Sequence, residues 1–66
     1  NPSHGTVVID HPELIAQLFL IDPSGKEQEF KPSNFMDLSG LPKGFYTWRI
    51  VLKEKGITNY QKFILN

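Results

Sequence analysis

The stretch FYTWRIVLKEKGITNYQKFILN, residues 45–66, decides the fold. From Phe45 onward the side chains alternate, with Tyr46, Trp48, Ile50 and Leu52 on one side and Phe45, Thr47, Arg49 and Val51 on the other. A period of two belongs to a half-buried strand. Arg49 marks the wet face, so Tyr46, Trp48 and Ile50 are expected in the core. Glu54-Lys55-Gly56 then reads as a turn, and the returning run puts Phe63 and Leu65 on a common face. The reading is a long hairpin.

Working outward, the same grammar holds upstream. Prolines at 2, 12, 23, 32 and 42 and glycines at 5, 25, 40, 44 and 56 leave no room for a long helix between them. Thr6–Ile9 reads as a first strand with Val7 and Ile9 on one face, interrupted by Pro12, which has no N–H to give a ladder. LIAQLFLID follows as a strand with Ala16, Leu18 and Leu20 on one face and Ile15, Gln17, Phe19 and Ile21 on the other. In DPSG, Asp22 can bond back into the turn, Pro23 presets φ, and Gly25 takes the positive φ of a turn with a bulge. KEQEFK is a short polar returning strand, suited to a sheet edge. NFMDL is a further run, and SGLPKG is a second corner with Pro42 and Gly44 in the special positions. Six to seven short strands with frequent turns predict an all-β fold, a small antiparallel immunoglobulin-like β-sandwich, with residues 1–66 as one domain.

Composition removes whole classes of function. Lys plus Arg and Asp plus Glu are both 7, so the chain lacks the basic excess a nucleic-acid binder uses. Its longest apolar run, Leu14–Ile21, is too short for a transmembrane helix. With no cysteine, disulfides and thiolate metal sites are ruled out. A chain of this size buries only about 60% of its unfolded surface, and its core supplies about 3–5 kcal/mol of net stability. It opens on Asn1-Pro2 with no initiator methionine or secretory leader, and reads as a piece of something longer.

Reactive chemistry is not expected. His4 and His11 sit beside Pro or Gly, without the i,i+4 spacing of a metal-binding helix. Pro23–Lys26 resembles a fragment of a phosphate loop, but a strand rather than a helix follows it. Ser24 and Ser39 are turn residues, and no nucleophile elbow surrounds them. No catalytic residue, metal or cofactor is assigned, and the chain is read as a non-enzyme. Phe19, Ile21 and Phe45 stand on strand faces opposite the core, where apolar side chains commonly mark a contact surface.

Taken in order, NPSHGTVVI, LFLIDPSGKE, MDLSGLPKGFYTWRI and QKFILN form a series. That series resembles the type A C-terminal sorting domain of the type IX secretion system of Bacteroidota over nearly the whole chain. Asn1 and Pro2 match the family's opening motif, and Asp22, Gly25 and Lys26 match its turn. Asp37, Leu38, Leu41, Gly44 and Tyr46 match its central segment, and Lys62, Phe63 and Ile64 match its closing strand. Leu65-Asn66 stands where the family usually carries a second basic residue, and Trp48 stands where it has a smaller side chain. The resemblance implies a signal that directs fused cargo from the periplasm through the outer-membrane translocon to the cell surface or medium. It implies a β-barrel shuttle receptor and a sortase-like signal peptidase as partners. Phe19, Ile21, Lys26 and Lys43, with the strand from Tyr60 to Leu65, are the candidate contact surface, and the apolar patch could also make a homodimer. The rival expectation is a non-catalytic accessory module, fibronectin-like or carbohydrate-binding, displaying a line of exposed aromatics.

Overall fold

The computed structural model describes residues 6–66. Asn1, Pro2 and His4 lie outside the described residues. Six strands follow one another: β1 (Thr6–Val8), β2 (Ile15–Ile21), β3 (Glu27–Phe30), β4 (Phe35–Asp37), β5 (Gly44–Leu52) and β6 (Thr58–Leu65). One short 3-10 turn, Pro12–Leu14, follows β1, where Pro12 ends any ladder. Among the described residues no helix is long and apolar enough to cross a membrane.

The strands form two antiparallel sheets, as a small β-sandwich requires. Sheet order is β3-β2-β5-β6 in the larger and β1-β4 in the smaller. β5 is central because it is the long alternating strand: Tyr46 and Trp48 are buried, and Ile50 and Leu52 pack against the same core. β2 adds Ile15, Leu18 and Leu20, β6 adds Leu65, and the smaller sheet adds Met36 with Leu38 just beyond it. An aromatic row lines the inner face. Phe63 stacks on both Tyr46 and Trp48, at 5.8 and 5.9 Å between centroids, and Phe30 meets Trp48 edge-on at 5.7 Å. Such pairs add to plain area burial.

One sequence expectation is overturned. Alternation places Ala16 in the core and Ile15 outside, whereas Ile15 is buried and Ala16 exposed. The reason is a bulge: Ile15 pairs with Leu52 and Gln17 with Val51, leaving Ala16 as an extra residue on β2. One inserted residue reverses the faces on either side of it. The bulge trades a small side chain for a large one in the core.

The two hairpin turns use the expected residues. Gly25 has φ +90°, and the β5–β6 turn carries φ +57° at Lys55 and +61° at Gly56. β3 lies at a sheet edge, as its polar sequence suggests.

Candidate functional site

The motif residues within the described chain gather at one end of the sandwich. The first component is the turn after β2. The Asp22 carboxylate accepts from the Ser24 N–H at 2.9 Å, the Ser24 hydroxyl at 2.6 Å and the Lys26 N–H at 2.9 Å. The Asp22 N–H donates to the Lys26 carbonyl, and the Gly25 N–H to the Asp22 carbonyl. Those donors, the Ser24 hydroxyl foremost and then the Lys26 amide, hold the Asp22 pKa below the ordinary aspartate value. The turn is thus closed by its own side chain and leaves the Lys26 ammonium exposed.

The second component is the loop from β4 to β5. Asp37 accepts from the Ser39 N–H at 2.9 Å, and hydrogen bonding from Ser39 keeps its carboxyl below the usual range too. Leu38 is buried, Leu41 packs against the core, and the Leu41 N–H closes a turn on the Leu38 carbonyl at 3.0 Å. The Tyr46 hydroxyl then donates to the Pro42 carbonyl at 2.6 Å. A tyrosine bonding back to the backbone a few residues upstream is the corner that immunoglobulin-type sandwiches use to pin a loop to a strand.

These two components touch. Gly44 has φ +152°, and a Cβ built there would meet Pro23 Cγ at 2.9 Å. Only a residue without a side chain lets the two turns approach so closely. Between them lies a cleft of about 330 Å³ lined by Leu20, Asp22, Pro23, Leu41, Pro42 and Tyr46, among others. The closing strand reaches the same end, since Gly44 pairs with Leu65, Phe45 with Ile64, Tyr46 with Phe63 and Thr47 with Lys62.

The outward-facing residues divide into two groups. Phe19 and Ile21 stand on the outer face of the larger sheet but are half-buried. The Arg49 guanidinium lies 4.1 Å over the Phe19 ring, and Glu27 holds it there through two bonds of 2.7 and 3.0 Å. Phe45 and Ile64 form a cross-strand pair that is open, at 72% and 50% exposure. Exposed Lys43 and Lys62 lie beside that pair in sequence. Sequence reading named these residues separately but missed that Phe45 and Ile64 are one patch, because only the β5–β6 register joins them. It also missed the role of Pro23 as a packing surface.

No protein-family model, no curated protein and no solved structure matches this chain.

Proposed function

We propose that this chain is a C-terminal sorting domain that directs a fused cargo across the outer membrane through a type IX secretion pathway. The supporting observation is the convergence of motifs. Asp22, Gly25 and Lys26, Asp37 to Tyr46, and Lys62 to Ile64 are separated in sequence yet meet at one end of the fold. Most of them shape the backbone rather than offer reactive groups, which suits a signal read as a folded surface. Asp22 and Asp37 close turns, Gly44 permits contact, and Tyr46 fastens the loop.

The apolar pair Phe45 and Ile64, with Lys43 and Lys62 beside it, is the part a receptor would touch. A partner with an apolar centre and an acidic rim fits it, since contact sites combine a desolvated centre with a polar surround. In this reading a β-barrel shuttle receives the domain, and a sortase-like peptidase removes it from cargo that reaches the surface or the medium. Trp48, at 6% exposure, is unavailable for sugar stacking.

The test is a fusion of these residues, with an upstream linker, to a periplasmic reporter in a type IX-competent cell. Export of the reporter is expected from the intact domain and is lost in Phe45→Glu/Ile64→Lys with the fold retained. A reporter that stays in the periplasm with the intact domain overturns the reading.

A further inference from the structure

We infer that β6 pairs antiparallel with β6 of a second copy of this chain, joining two four-stranded sheets into one of eight strands. Among the described residues β6 is the last strand of the larger sheet, so one of its edges has no strand beside it. It is also the one long edge: β6 has 8 residues, against 4 in β3 and 3 each in β1 and β4. Sheet edges are normally protected by shortness, proline, bulges or charge. β3 is short, carries Glu27 and Glu29, and is followed by Lys31 and Pro32. β6 has a single charged residue, Lys62, no proline, and an unbroken register with β5 from Thr58 to Leu65.

The orientation of its backbone groups follows from one bond. The Leu52 N–H donates to the Ile57 carbonyl at 2.8 Å, and Leu52 and Ile57 are in line with the β5–β6 register. Antiparallel ladders alternate between bonded and unbonded pairs. Asn59, Gln61, Phe63 and Leu65 therefore bond to β5, and Thr58, Tyr60, Lys62 and Ile64 turn their N–H and C=O groups to the free edge. These four also carry the outer-face side chains.

That parity allows few self-pairings. Centring the two-fold axis on Gln61 sets Tyr60 against Lys62 of the second copy and Thr58 against Ile64, so that β6 overlaps its copy from Thr58 to Ile64. Each lysine ammonium then meets an aromatic ring, a favourable pairing. Shifting the axis to Lys62 puts two lysines face to face, which is destabilising in a directly opposed pair. Shifting it to Tyr60 leaves Phe63, Ile64 and Leu65 beyond the overlap. The Gln61-centred register is thus the self-complementary one. It is also continuous with the exposed pair of Phe45 and Ile64. The inference is independent of the sorting function.

Because the chain has no cysteine, a single engineered thiol reads this register directly. Gln61 faces its own copy in an unbonded pair, where Cα atoms stand about 4.5 Å apart, within the range of about 4.4–6.8 Å that a disulfide spans. Asn59 is offset from its copy by roughly 13 Å. In a glutathione redox buffer, Gln61→Cys is expected to give roughly tenfold more disulfide-linked dimer than Asn59→Cys. Adding Lys62→Pro to Gln61→Cys removes a free-edge N–H but no bond to β5, and is expected to abolish the excess. Emission from Trp48 verifies that each variant is folded. Sedimentation of the unaltered chain should show a dimer that grows with concentration. Equal cross-linking at 59 and 61, or a folded chain that stays monomeric at every concentration, overturns the inference and leaves the edge to a strand of another protein.

Discussion

At the residue scale, the candidate site consists of side chains that hold backbone in place. Tyr46 is the clearest case, with its ring in the core and its hydroxyl on the Pro42 carbonyl at 2.6 Å. Tyr46→Phe keeps the ring and removes the bond, at a cost of about 0.5–1.5 kcal/mol. A melt followed by Trp48 emission should show a drop of about 4–8 °C per kcal/mol lost, and an unchanged melting temperature would mean the hydroxyl fastens nothing. Asp22 and Asp37 give a second prediction, on pH. Hydrogen bonds hold both carboxyls below their ordinary values in the folded state. A depressed folded pKa means stability that is present above the unfolded value, about 3.9 for aspartate, and lost as pH falls through the folded one. Stability is therefore expected to decline below about pH 4. Asp22→Asn, which keeps an acceptor but cannot titrate, should make that decline shallower. Acid unfolding curves of equal steepness for the two proteins would remove Asp22 from the effect.

At the element scale, the contact between the two turns is what makes scattered motifs into one site. Gly44→Ala introduces a Cβ at 2.9 Å from Pro23 Cγ, on backbone that an L-residue rarely adopts. Strain of this kind costs about 1–3 kcal/mol. Pro23→Ala removes the colliding atom, so the double variant should recover the steric share and keep the backbone share. Denaturant unfolding of the four proteins measures that coupling; strictly additive costs would show that the turns do not press on each other. Much of this was legible in the sequence. The alternation of β5, the Asp-Pro-Ser-Gly turn and the polar edge strand β3 all follow from local rules that act over two to four residues. Ile15 and Ala16 were misplaced because a bulge is set by pairing with β5, and nothing local distinguishes one register from the next. Tyr46 could be put in the core from its period, but its bond to Pro42 depends on the path of the loop. The meeting of Pro23 with Gly44, and of Phe45 with Ile64, joins residues that only the sheet register brings together.

At the scale of the whole molecule, the question is whether a receptor reads a string of residues or a shape, and the core separates the two. Leu18 is fully buried; it opens the stretch LFLIDPSGKE but is not one of the individually matched positions. A receptor of the folded domain cannot touch it, so it can act on export only through the fold. Leu18→Ala costs about 2–5 kcal/mol, as large as the about 3–5 kcal/mol that a core of this size supplies. The variant is therefore expected to be largely unfolded, and its reporter fusion to remain in the periplasm even though every individually matched position is intact. Phe45→Glu is the complement. It lies on an open surface, where substitutions shift stability by about 0.5 kcal/mol or less, so its fold should survive while export falls. Measuring folded fraction by Trp48 emission beside the exported fraction of reporter places both variants on one plot. A folded-surface signal predicts that Leu18→Ala falls on the line where export tracks folding, and that Phe45→Glu falls well below it. Full export of an unfolded Leu18→Ala domain would mean that the chain is read residue by residue, and that the end of the sandwich where its motifs meet is only a consequence of folding.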